Sequence, residues 1–149
     1  MNGIFIIAHA PLASALRQCA LHVFPDCAAG VIALDVQPNM SPEETLAQAR
    51  ILFGELGTPN ALVMVDVFGA TPCNVAQRLA DGVLVKVVAG VNVPMLWRSL
   101  CYVGDSLEAL AARAIAGATQ GVMQVATSKP QNQTQKPGAN DQSHAQHQQ

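Results

Sequence analysis

The sequence predicts an α/β domain with a mostly parallel sheet and helices on both faces. Three observations predict it: the apolar runs are short and rich in branched residues, they are apolar along their whole length, and segments of helical spacing separate them. A strand with no polar alternation must be buried on both sides, which is the situation of a parallel strand between helix layers. At 149 residues the chain suffices for one domain with a sizeable core, and an aromatic content of 4% leaves Val, Ala, Leu and Ile to fill it.

The first strand runs from Gly3 to Ala8 and delivers His9 at its carboxyl end, because Pro11 prevents the strand from continuing. Leu12, Leu16, Cys19, Ala20 and Val23 follow at helical spacing, ending before Pro25. Gly30 to Asp35 is a second strand. Ser41-Pro42-Glu43-Glu44 then opens a helix, with Ser41 as cap, proline at the first helical position and Glu44 placed to close a capping box. That helix carries Leu46, Ala49, Arg50 and Phe53 and stops near Gly57-Thr58-Pro59.

Ala61 to Asp66 is the most strand-like segment, an apolar run that terminates in a carboxylate. Thr71-Pro72 reads as cap plus first-position proline of the next helix. A fourth strand is expected over Gly82 to Ala89, helices over Pro94 to Tyr102 and Ser106 to Ala118, and a short last strand over Val122 to Val125. Being short and terminal, that strand is expected at an edge of its own sheet or of a second subunit's. The domain is therefore taken as residues 1–126. Residues 127–149 hold seven glutamines and no Leu, Ile, Phe or other aromatic residue, the composition of a disordered tail. His144 and His147 within it have a spacing able to chelate a metal weakly, but a solvated polar tail is the better explanation of them.

Composition excludes several functions. A net charge of −2 with eight scattered basic residues is no footprint for nucleic acid, and no like-charge run suggests an electrostatic membrane anchor. The apolar N-terminus lacks a basic n-region and is broken by His9 and Pro11, unlike a signal peptide. No window reaches the ~18 apolar residues of a membrane span. Cys19, Cys27, Cys73 and Cys101 show no zinc-like spacing, so reduced and mostly buried thiols in a cytoplasmic protein are expected, with no metal and no cofactor.

If strands one and three are neighbours, as in a flavodoxin-like order of 2-1-3-4, His9 and Asp66 emerge in one crevice at the carboxyl end of the sheet. A carboxylate there can hold one imidazole nitrogen and leave the other as a nucleophile. The loop Phe68-Gly69-Ala70-Thr71 opens a helix whose N–H groups, with a threonine hydroxyl, make a ready anion site. An imidazole, its orienting carboxylate and an anion cradle are the parts a transient phosphohistidine needs. Each part has a plainer reading: a satisfied structural histidine, a turn-capping Asp66, a helix start at Thr71 and a filler thiol at Cys73. Two rivals follow: a non-covalent anion-binding or sensing module, and a hydrolase pairing Cys73 with His9.

The stretches Ile6-Ile7-Ala8-His9-Ala10, Val63 to Asn74 and Ala89-Gly90-Val91-Asn92-Val93-Pro94-Met95-Leu96 resemble, in order and spacing, the three signature blocks of the mannose-type (mannose/fructose/sorbose) IIA component of the bacterial phosphotransferase system. The resemblance covers roughly residues 1–125. It implies a dimeric, cytoplasmic phosphocarrier that takes a phosphoryl group from the histidine phosphocarrier protein HPr onto His9 and hands it to a IIB partner, with IIC and IID membrane components further downstream. Asp66 would orient His9, while Phe68, Gly69, Ala70, Thr71 and Asn92 would line the phosphoryl site, Thr71 standing where the family often has serine. The family's last strand is often exchanged between subunits. Two departures stand out: no IIB domain follows, so the acceptor is expected on another polypeptide or is absent, which suits sugar uptake through separate chains and equally a regulatory role, and Ala10-Pro11 replaces residues that are usually Gly-rich or polar. The phosphocarrier subunit serving dihydroxyacetone kinase shares the fold and the strand-end histidine, but the Asp66 to Asn74 block is more mannose-type.

Overall fold

The computed structural model describes residues 1–128, and the expected tail with His144 and His147 lies outside them. Among the described residues four parallel strands alternate with five α-helices: β1 (Gly3–His9), α1 (Leu12–Val23), β2 (Ile32–Val36), α2 (Pro42–Phe53), β3 (Ala61–Val65), α3 (Thr71–Leu79), β4 (Val85–Ala89), α4 (Val93–Leu100) and α5 (Leu107–Gln120). The sheet order is β2-β1-β3-β4, as the sequence predicts. Register places Ile7 beside Val65 and His9 beside Val36, so β1 sits between the two strands whose ends frame it.

Strand alternation sorts the core into two layers. Ile4, Ile6, Ala8, Leu62 and Met64 pack against α1, α4 and α5, whereas Phe5, Ile7, Val63 and Val65 pack against α2 and α3. Every residue of β3 is buried, and each such large aliphatic side chain contributes about 1.5–3 kcal/mol of hydrophobic stabilisation before ordering costs. Continuing that alternation turns His9, the last residue of β1, toward the face that α3 covers.

The α2 start is as read: Ser41 Oγ accepts the Glu44 N–H at 3.1 Å and Glu44 Oε1 accepts the Ser41 N–H at 2.9 Å. Elsewhere boundaries move for identifiable reasons. β2 begins at Ile32, two residues late, because Cys27–Gly30 forms a 3-10 turn. β4 begins only at Val85, since the Asp81 carboxylate takes the N–H groups of Val83, Leu84 and Val85 and curls that apolar stretch into a turn. Ala70, not Thr71, is the cap residue of α3, and Thr71 is its first helical residue.

Two expectations are corrected. Residues 122–125 do not join this chain's own sheet as an edge strand, and Val122, Met123 and Val125 are exposed, because strand backbone groups need a ladder and none is offered among the described residues. The thiols are not mostly buried either. Cys73 is, but Cys19, Cys27 and Cys101 are exposed, Cys19 because the buried stripe of α1 is Ala13, Leu16 and Ala20. Among the described residues no helix is long and apolar enough to cross a membrane.

Candidate functional site

His9 ends β1 and Asp66 directly follows β3, and adjacent parallel strands bring the two side chains together across 57 residues of sequence. Asp66 Oδ2 accepts the His9 backbone N–H at 3.0 Å and lies 2.7 Å from His9 Nδ1, while Oδ1 accepts the Val67 N–H at 2.9 Å. Partial burial is the largest single influence on Asp66 and raises its pKa. The His9 backbone N–H, the His9 ring and the Val67 N–H together outweigh it, so the carboxyl titrates below its ordinary range. An ionised carboxylate only accepts, so the neutral ring carries its hydrogen on Nδ1 and leaves the lone pair on Nε2. The His9 side chain is 53% exposed against 13% for Asp66: the anchor is covered and the ring is open to a partner.

Beyond Asp66 the chain makes the tight loop 66–70 into α3, with Gly69 at φ 90°, a left-handed conformation that strains any residue bearing a Cβ. Gly90 at φ 87° makes the corresponding turn after β4. Val67 and Phe68 stand out of this loop, Phe68 at 75% exposure. Ala70 supplies no capping side chain to α3, and Pro72 has no N–H, so the donors of its first turn are those of Thr71 and Cys73. The other helices differ. Asn92 caps α4 by accepting the Met95 N–H at 2.9 Å, Ser106 caps α5 by accepting the Ala109 N–H at 3.1 Å, and α2 has its capping box.

Of the residues expected at the site, His9, Asp66 and the 68–71 loop are thus brought to the carboxyl end of the central strands. Asn92 lies at the same end, but both its polar atoms are engaged inside the helical layer, Oδ1 with Met95 and Nδ2 with the Ala118 carbonyl at 3.2 Å. The Cys73 thiol is 3% exposed, which removes it from any pairing with a substrate. Among the described residues no group of three or more His, Cys, Asp or Glu side chains gathers as a metal cluster. One residue was missed in the sequence. Asp35, in β2, accepts the Ser14 N–H at 3.0 Å and the Ser14 hydroxyl at 2.5 Å, both in the first turn of α1. The signal was present, since Asp35 interrupts the apolar run from Val31 to Leu34 within β2, much as Asp66 ends that of β3.

Comparison with known proteins agrees with this architecture. The Escherichia coli (strain K12) "PTS system mannose-specific EIIAB component" is 32% identical over 93 residues, which is 60% of this chain and 29% of that protein. The chain therefore spans less than a third of the length of the curated relatives it matches. The mannose/sorbose-specific IIA subunit of the phosphotransferase system from Enterococcus faecalis superposes with a TM-score of 0.75 at 24% identity, covering 86% of this chain and 97% of that one. The PTS IIA protein associated with the fucose utilization operon of Streptococcus pneumoniae gives 0.69 at 24% identity, covering 83% and 92%. A family model described as "PTS system fructose IIA component" matches residues 3–115, and the chain belongs to that family, EIIA-man.

Proposed function

We propose that the protein is a cytoplasmic phosphocarrier: Nε2 of His9 accepts a phosphoryl group from HPr and passes it to a IIB partner feeding IIC and IID membrane components. The observation that carries this reading is the pinning of Nδ1 to Asp66, which leaves Nε2 as the free ring nitrogen of a half-exposed side chain. Family membership supports it.

In the transfer step the Nε2 lone pair attacks phosphorus in line, the Nε2–P bond forms, and the donor's N–P bond breaks with its electron pair returning to the donor imidazole. No proton has to leave His9, because Nδ1 keeps its hydrogen toward Asp66. The phosphorylated ring carries positive charge that the Asp66 carboxylate offsets, and attack by the IIB nucleophile reverses the process. The N–H groups of Gly69, Ala70 and Thr71, the Thr71 hydroxyl and the uncapped α3 N-terminus suit the phosphoryl oxygens, with Phe68 as the exposed rim of the loop. Asn92 contributes by capping α4 and so holding the third loop at this end of the sheet. We include homodimerisation in this reading: Val122, Met123 and Val125 form an apolar segment without a ladder, suited to a second copy's sheet edge, and sedimentation would register the dimer.

Incubation with phosphoenolpyruvate, enzyme I and HPr tests the relay. Acid-labile, alkali-stable phosphate is expected on the wild type and none on His9→Ala. Phosphate retained by His9→Ala would move the acceptor elsewhere, and its absence from the wild type would return the crevice to non-covalent anion binding.

A further inference from the structure

We propose that Asp35 is a positioning residue for His9, acting through the N-terminus of α1. Only two residues, Ala10 and Pro11, separate the end of β1 at His9 from the start of α1 at Leu12, so the His9-Ala10-Pro11 corner is as fixed as its two ends. One end is held by the sheet, where the Ala10 N–H donates to the Val36 carbonyl at 3.0 Å. The other end lacks the usual device. Pro11 occupies the cap position of α1 with a non-extended backbone and no side-chain acceptor. Asp35, the residue before Val36, supplies the missing acceptor from the neighbouring strand, with one oxygen on the Ser14 N–H and the other on the Ser14 hydroxyl.

Consecutive residues of β2 therefore clamp both ends of the corner that carries the phosphoryl acceptor, while Asp66 of β3 holds the acceptor itself. Strand alternation directs Asp35 to the α1 side, because Leu34 and Val36 belong to the core layer under α2 and α3. Its carboxylate touches Ser14 rather than the ring. By filling the positive end of α1, it also leaves the uncapped end of α3 as the anion-accepting helix start beside His9.

The test uses the full-length protein as wild type, Asp35→Ala, Asp35→Asn and Ser14→Ala, each checked for folding by circular dichroism. Two readouts are taken: steady-state transfer with phosphorylated HPr as the varied substrate, and the 15N resonances of the His9 ring. The first rests on the phosphocarrier reading and the second does not. For Asp35→Ala, kcat is expected to fall ten- to a hundredfold, on the order of what a misplaced reacting group loses, with KM unchanged. Its ring resonances are expected to change from one Nδ1–H tautomer to an exchange-averaged mixture. Asp35→Asn, which can still accept the Ser14 N–H, is expected to stay within about threefold of wild type, the scale of one weakened hydrogen bond. A folded Asp35→Ala protein with wild-type kcat and ring resonances would overturn the proposal, as would a rise in KM alone. If Asp35→Ala does not fold, the ring resonances and kcat of Ser14→Ala decide in the same sense. If the wild type takes no phosphoryl group, the phosphocarrier reading fails and the ring resonances alone decide on Asp35.

Discussion

The helix starts of α1 and α3 follow the two central strands at the same end of the sheet, and only one of them is closed by protein atoms. A carboxylate borrowed from β2 fills α1, whereas the cap residue of α3 is Ala70, which has no capping side chain at all. Ser41, Asn92 and Ser106 close α2, α4 and α5. Capping is worth ~1 kcal/mol per helix, so leaving α3 open forgoes stability next to a histidine that Asp66 has already oriented. The difference singles out one helix start: among the described residues, the α-helix that follows Asp66, the carboxylate holding His9, is the one whose start no side chain from this domain fills.

The largest expected effect comes from asking whether the open helix start suffices without the oriented ring. Asp66→Asn keeps the shape of the anchor but can donate its amide hydrogen to Nδ1, which drives the ring hydrogen onto Nε2 and removes the nucleophilic lone pair. Phosphoryl transfer should fall about a hundredfold or more, the scale of a wrong-tautomer catalytic histidine, with the hydrogen on Nε2 visible in the 15N spectrum. Transfer close to wild type would mean that α3 alone defines the site.

The converse change closes α3. Ala70 has φ −122° and ψ 175°, the extended geometry of a capping residue, so Ala70→Asp can place its carboxylate on the free N–H groups of the first turn. The variant should melt higher, by the few degrees that ~1 kcal/mol gives a domain of this size. Transfer should drop about tenfold, because the new anion occupies and repels where the phosphoryl oxygens would lie. Gain of stability with loss of transfer is the signature sought. Gain of both would show that the helix start is merely unoptimised.

What was legible in the sequence, and what was not, follows the same division. The strand ends at His9 and Asp66 could be read because the relevant signals are local, an apolar run closed by a polar residue and then a turn, while their meeting depends on the order 2-1-3-4, which holds. Asp35 sends the same local signal, yet its role depends on a helix start 21 residues away, and nothing local shows that Pro11 leaves that start uncapped. The misplaced start of β4 has a similar origin, since Val83 and Leu84 are strand-like in type and are turned aside by the Asp81 carboxylate. Asn92 reads as a polar loop residue, and only the packing of α5 on α4 shows what its amide engages. Residues 122–125 carry strand composition but find no pairing partner among the described residues, and composition alone does not say where a ladder would come from.

The smallest expected effect is on stability, and its sign follows from how Asp66 is held. Its folded pKa lies below the ordinary carboxylate value because the His9 and Val67 N–H groups and the His9 ring outweigh the cost of partial burial. A carboxylate depressed in the folded state contributes stability that is fully present above its unfolded pKa of about 3.9 and is lost as pH falls through the folded value. Asp81 behaves in the same direction, held down first by the Val85 N–H and then by that of Val83, so Asp66 is not alone in the acid response. Urea unfolding of wild type and Asp66→Asn at pH 7 and pH 3 isolates its share, with the wild type expected to lose more stability between the two. Equal losses would mean that Asp66 is no better held in the folded chain than in the unfolded one, and the imidazole would then be anchored too weakly for the contrast between the two helix starts to matter.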